Sequence, residues 1–396
     1  MFEIRPIFSA MLRHKSRAVL IILQMALTLA IVANALFIIN ERLTLIQRDS
    51  GFAESTILGF RTVTLKTNDN IYQQIDLDEQ MLRAIPGVID ALAISSLPLS
   101  GSGSATSISS KPSDPEGQMS AGYYNGDEHI LNTMGVELIE GRNFNKSDVV
   151  HGSVGMTSVV IINQSLANKL YPDGDALGKN IYDDLESSKI IGIVGVMQGM
   201  WVNASLFEDN MIFPFVDGGN STRYMVRTEP GMKAAVTAQV EEKMAALNSD
   251  RVIGEFTTLT KERETSYKDD SAMAKILSAI VVLLLSVTVV GIFGLSAFSV
   301  NQRIKQIGTR RALGASKLDI TRYFLIENGL MAVAGISIGC VLALALNYWL
   351  VNAYGVTQLN ITYVIATMVG IFIVSQLAVL IPALKAAQVS PAVATR

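Results

Sequence analysis

Four apolar runs, at residues 18–39, 276–300, 325–351 and 361–381, limit the architecture open to this chain. A helix rises about 1.5 Å per residue, so each run is long enough to cross a hydrocarbon core about 30 Å thick. Only Gln24, Thr28 and Asn34 interrupt the first run. Ala33-Asn34-Ala35 imitates a signal-peptide cleavage site, but apolar residues continue through Ile39, so the run is read as a retained transmembrane helix. With 49% hydrophobic and 17% charged residues, the 396-residue chain is too apolar for an ordinary soluble protein and fits four spans plus one soluble part.

The formal charge of -3 hides a segregation, because cations gather beside the apolar runs and acids in the long middle segment. This excludes nucleic acid as a natural partner. Residues 301–323 hold Arg303, Lys305, Arg310, Arg311, Lys317 and Arg322, with Asp319 the only acid among them. The positive-inside bias places such a loop in the cytoplasm, and a loop of this charge serves equally as a plain topology determinant. Gly314 is suited to end one helix, and Ser316 with Asp319 reads as a capping box opening the next, which makes the loop an elbow. Residues 352–360 carry no charge, whereas the tail carries Lys385 and Arg396. Both termini are therefore expected in the cytoplasm, with residues 41–270 outside. Residues 1–17 have the spacing of an amphipathic helix lying on the inner membrane face.

The middle segment is polar and rich in short alternating stretches. Residues 57–67 read as a strand, 77–85 as a helix and 88–95 as a second strand; 222–228, 232–247 and 252–258 repeat the pattern. Two such units predict a ferredoxin-like α/β lobe over about 41–96 and 215–260, with a strand-rich lobe inserted over 97–214. The insertion opens with SGSGSATSISSKPSDPEG, expected to be mobile. The fold class is thus an α/β membrane protein: four transmembrane helices with a large two-lobed extracytoplasmic α+β domain between the first and second. The spans are expected at 18–40, 271–300 (with a stalk rising above the membrane), 324–351 and 361–382, where Pro382 ends the fourth, and residues 383–396 form a cytoplasmic tail.

Catalytic patterns fail on context. Residues 335–339 (GISIG) match a nucleophile elbow but lie in a span, where small residues at four-residue spacing are a packing face. GDALGKN at 174–180 is one residue short of a phosphate loop and has Asn180 where a magnesium ligand should stand. His14, His129 and His151 are scattered, and Cys340 is the only cysteine, so no metal site and no intrachain disulfide are expected. Glu327, the only acid near a bilayer core, is read as exposed at the interface.

Several segments together resemble a known family. IKQIGTRRALGAS (304–316), FLIENGL (324–330) and PALKAAQVSPAVA (382–394) are similar to the permease module of FtsX-type and MacB-type ABC transporters. GRNFNKSD (141–148), VVIINQSLANKLYPDGDALGKNI (159–181), IIGIVGV (190–196) and YMVRTEPG (224–231) resemble the MacB-type periplasmic core domain. The resemblance implies a multi-pass protein of the bacterial inner membrane, whose soluble domain has a porter-like lobe and an inserted lobe. It implies that the subunit dimerises with itself or a related permease, touches membrane lipid, and leaves room for a periplasmic adaptor and an outer-membrane duct. It further implies a separate ATPase subunit holding ATP and magnesium, with no cofactor and no enzymatic activity on this chain, since nothing before Ala18 holds a nucleotide domain. Family members pass ATPase motion through their helices to the outer domain, a mechanotransmission that drives export of a peptide, an antibiotic or another substrate. An FtsX-like transducer controlling an extracytoplasmic enzyme, or a lipoprotein-extracting permease, are the alternatives.

Within that frame Ile304, Ile307 and Leu313 are expected to dock in an apolar groove of the ATPase, with Arg310 and Arg311 pairing with acids at its rim. Arg303, Gly314 and Ser316 complete the coupling elbow. The other expectation is that these arginines only hold lipid phosphates and topology. Gly291 and Gly294 in the second span, and Gly335 and Gly339 in the third, are expected to let helices approach closely.

Overall fold

The computed structural model describes residues 15–65, 70–152, 156–248, 250–355 and 357–390. It divides into two compact units, residues 1–47 with 270–396, and residues 48–269. The expected amphipathic segment falls largely outside the described residues, as does the end of the tail.

Among its described residues the first unit contains four helices long and apolar enough to cross a membrane: Lys15–Ile46, Lys268–Gln302, Lys317–Tyr354 and Ile361–Ala387. Each extends past the span expected for it. The third starts at Lys317, inside the expected elbow, since Ser316 caps it there, and it ends at Gly355 in the left-handed region. The fourth runs through Pro382, which is buried in it and does not end it. A proline costs one backbone hydrogen bond, and a packed bundle tolerates that loss.

Small residues set how these helices meet. A Cβ on Gly335 would lie 2.9 Å from the Ile22 carbonyl oxygen, and one on Gly339 would lie 2.9 Å from that of Ala26, so the first and third helices touch backbone to backbone. Asn34 Nδ2 donates to the Ala343 carbonyl at 3.0 Å across the same seam. Gly291 faces the Gln24 side chain, and the Thr28 and Thr288 hydroxyls are bonded at 2.8 Å, which joins the first helix to the second. Gly294 differs from the other three, for a Cβ there would meet nothing described within 4 Å. Its expected packing role is therefore not exercised within this chain.

Among its described residues the second unit carries thirteen strands: β1 (Ile57–Thr64), β2 (Val88–Ala93), β3 (Ser104–Ile108), β4 (Met119–Gly126), β5 (Leu138–Gly141), β6 (Val150–His151), β7 (Val159–Asn163), β8 (Asn180–Asp183), β9 (Glu186–Val194), β10 (Asn210–Val216), β11 (Ser221–Thr228), β12 (Arg251–Ile253) and β13 (Thr257–Thr258). One sheet has the order β12-β1-β11-β2, antiparallel throughout. The fifth strand, β13, pairs with β1, and numbering the other four along the chain gives 4-1-3-2, the ferredoxin-like order, with helices Ile71–Arg83 and Lys233–Leu247 as its two crossovers. Leu58, Phe60, Tyr224 and Val226 on the sheet share one core with Leu82, Val236 and Val240 of those helices. Buried Asp78 accepts from Arg251 Nη1 at 2.6 Å and from the Tyr224 hydroxyl at 2.7 Å, so this buried ion pair is supported by a further hydrogen bond. The first crossover helix starts at Ile71, earlier than expected. The strand expected over 252–258 is split into β12 and β13, where the Gly254 amide turns to the Arg61 carbonyl.

The inserted lobe is an eight-stranded mixed sheet, β3-β4-β10-β7-β9-β5, with β6 on β10 and β8 on β9. Part of the segment expected to be mobile is β3, in register with β4 and anchored by Ile108, which is fully buried. GDALGKN forms a turn in which the Gly178 amide donates to the Ile190 carbonyl and Lys179 pairs with Asp175 at 2.6 Å.

Candidate coupling site

The basic segment folds as a short helix between two long ones. Ile304–Ala312 opens after Arg303, whose φ of -106° and ψ of 13° break the second span, and it closes at Leu313. Gly314 follows with φ +98°, a conformation that costs glycine little. Ser316 Oγ accepts from the Asp319 amide at 3.1 Å, and Asp319 Oδ2 accepts from the Ser316 amide at 2.9 Å. This reciprocal cap starts the third span and stiffens the turn.

Not all of the charge faces outward. Arg303 is only 8% exposed, and its Nη1 lies 3.0 Å from Glu327 Oε2. Arg17 Nη2, from the first span, lies 2.5 Å from Oε1 of the same carboxylate. Glu327 is 2% exposed, so the expected interfacial carboxylate is instead a buried junction of three helices. The physical reason is that a carboxylate in apolar surroundings is costly unless paired, and two guanidiniums meet it here. Neither Arg17 nor Glu327 was placed in the site by sequence reasoning. The usable signal was a lone acid inside an apolar run; its partner 310 residues away carries no local signal.

The expected docking residues separate as well. Ile307 is 5% exposed and belongs to the same core as Ile320, Phe324 and Ala383, so it is not available to a partner. Ile304 is half-buried, while Leu313 is 83% exposed. Leu318, at 80%, joins it, and these two are the most exposed large apolar side chains among the described residues. Helical spacing held the clue to Leu318: with Ile320 and Phe324 inward, a residue two before Ile320 points away. Arg310 is exposed, with its guanidinium 4.8 Å from the Tyr323 ring centroid. Arg311 is half-buried and donates through Nη1 to the Ala315 carbonyl at 3.0 Å. The elbow therefore has an outward face of Arg310, Leu313 and Leu318 and an inward face of Arg303 and Ile307.

Comparison with known proteins gives this arrangement a family. Residues 19–245 match the family model of the MacB-like periplasmic core domain, and residues 278–391 match that of the FtsX-like permease C-terminal region. The chain belongs to the MacB-like permease family. Among its relatives, the macrolide export ATP-binding/permease protein MacB of Chromobacterium violaceum is 25% identical over 55% of this chain and 34% of its own length. The protein of that name from Campylobacter fetus subsp. fetus is 29% identical over 58% of this chain and 36% of its own. The ABC transporter permease YvrN of Bacillus subtilis is 24% identical over 69% of each. The chain spans about a third to two fifths of the length of the curated MacB proteins it matches. The crystal structure of the periplasmic region of MacB from Actinobacillus actinomycetemcomitans aligns with a TM-score of 0.36 at 15% identity, covering 56% of this chain and 97% of that one. As a MacB-like permease, the chain is a multi-pass membrane protein whose large strand-rich periplasmic domain lies between its first and second spans.

Proposed function

We propose that this MacB-like permease is moved by ATP hydrolysis on a separate ATPase subunit seated on the elbow, and that the motion drives export of a peptide, an antibiotic or another periplasmic solute. The observation that carries this reading is the elbow's two faces: Leu313, Leu318 and Arg310 turn outward, while Arg303 is latched through Glu327 to the first and third spans. Force applied to the outward face then reaches three helices without any polar pore. The positive-inside bias puts the elbow in the cytoplasm, where an ATPase would meet it. ATP and magnesium belong to that partner, and the names of the relatives, which join ATP-binding and permease functions in one protein, support such a pairing. The 35-residue second helix, about 50 Å long at about 1.5 Å per residue, suits transmission to the periplasmic domain. A second copy or a related permease would complete the assembly.

Affinity purification of the chain from its native membrane tests the partner, and the double substitution R310E with R311E tests the seat. The double variant is expected to lose the ATPase on purification and to lose ATP-driven activity while keeping its melting temperature. Assembly and coupled activity that survive both charge reversals would sink the elbow as the docking site.

A further inference from the structure

The register of β1 and β11 sets Arg61 directly opposite Arg223. Both lie on the sheet face turned away from the helices, because their neighbours Phe60 and Tyr224 fill the core on the other face. Like charges in directly opposed positions destabilise a sheet. Arg61 Nε donates to Ser221 Oγ and Arg223 Nη1 donates to the Ser95 carbonyl at 2.7 Å, but among the described residues neither guanidinium is in an ion pair. Burial, and after it the charge of Arg61, holds the Arg223 guanidinium below its usual range, with Glu262 acting in the opposite sense. The pair lines a cavity of about 300 Å³, which exposed Asp217 borders as its only carboxylate.

That cavity continues into another of about 510 Å³, the two sharing Ser95, Asn125, Phe215 and Asp217. The second has an aromatic wall, where Tyr123 meets Phe213 edge-on at 5.6 Å. It also carries Asp183 and Glu186, whose hydrogen bonds come from uncharged donors, the Thr106 hydroxyl and the Met156 amide, each at 2.8 Å. The cleft between the two lobes therefore carries two cations at one end and an aromatic wall with two acids at the other, with Ser95, Asn125, Phe215 and Asp217 between them.

We propose that this cleft binds a zwitterionic solute, a short peptide by chemical class, with its carboxylate on Arg61 and Arg223, its ammonium toward Asp183 and Glu186 and an aromatic side chain against Tyr123 and Phe213. The site stands independently of the coupling role of the elbow. A forked guanidinium recognises a carboxylate through paired hydrogen bonds, and a carboxylate held by both would offset the repulsion built into the register.

The test is calorimetric titration of the full chain in lipid nanodiscs with tripeptides carrying a central phenylalanine. Free-terminus, C-terminally amidated and N-acetylated forms are compared, with inorganic phosphate as a separate arm. Amidation is expected to weaken binding about tenfold or more, the loss of one charge-assisted contact. R61Q with R223Q should abolish that discrimination, and D183N with E186Q should abolish discrimination against N-acetylation. R61Q alone should not lower the melting temperature, since it relieves a repulsion. If the glutamine pair unfolds, R61K with R223K, which keeps the charge but not the fork, should still blunt the effect of amidation. No saturable binding by any free-terminus peptide, equal binding of free and amidated forms, or phosphate binding as tight as that of the peptides would each overturn the proposal.

Discussion

Arg303 Nη1 and Glu327 Oε2 meet at 3.0 Å where the second span breaks into the elbow, and Arg17 reaches the same carboxylate from the first span. One acid thus neutralises one of two guanidiniums, a buried one and a half-buried one, and holds both. Glu327→Ala should cost about 3–5 kcal/mol, because it leaves buried Arg303 and half-buried Arg17 without this acceptor. Replacing all three by apolar residues of similar volume should restore much of the melting temperature yet leave ATP-driven activity low. If that triple variant works as well as the parent, the junction is structural and transmits nothing.

The seam between the first and third spans makes a second prediction. Gly339→Leu forces a side chain against the Ala26 backbone and should destabilise the bundle by about 1–3 kcal/mol. Gly294→Leu, with open space around it in this chain, should leave the melting temperature of the isolated chain almost unchanged. Thermal unfolding of the two variants in one detergent compares them directly.

Acidity of the periplasmic domain should depend on Glu79, whose Oε1 accepts from the Ala93 amide at 2.7 Å inside the ferredoxin-like lobe. Burial, and then the charge of Asp127, pushes its carboxyl up to about 9 from the ordinary 4.5. Protonation therefore favours the folded state: this contribution is complete below about pH 4.5 and is lost as pH rises through about 9. Asp127, raised chiefly by burial, acts in the same sense. Glu79→Gln should flatten the fall in melting temperature between about pH 5 and pH 9, and a profile as steep as that of the parent would count against the assignment.

The cap on the third span gives a local prediction. Ser316→Ala removes the acceptor for the Asp319 amide and should cost about 1 kcal/mol. Hydrogen exchange should quicken at the first turn of that helix and not at its centre. Coupled activity should fall more than global stability, because the turn that loses rigidity is the one proposed to seat the ATPase.

How much of this was legible depended on whether the signal was local. Uninterrupted apolar runs announce spans from composition alone, and Gly314 and Ser316 announce a turn because φ +98° and a capping box are properties of single residues and their near neighbours. Two β-α-β patterns likewise carried the ferredoxin-like order. The ends of the helices were less legible: Pro382 reads as a stop, but packing holds it inside the fourth helix. Exposure along the elbow was legible only where helical spacing applied, as at Leu318. Ile307 and Leu313 are similar apolar residues a few positions apart, and only contact with the third and fourth spans makes one core and the other surface.

The sequence by itself determined four spans, a capped basic elbow and a two-lobed domain inserted between the first two spans, since each follows from apolar length, turn chemistry or strand periodicity. Only the tertiary structure decided that Glu327 binds Arg17 and Arg303, and that Arg61 faces Arg223 in a cleft. Those relationships join residues far apart along the chain. They exist because burial must pair charge and because register brings two strands side by side, and neither condition is written at any one position.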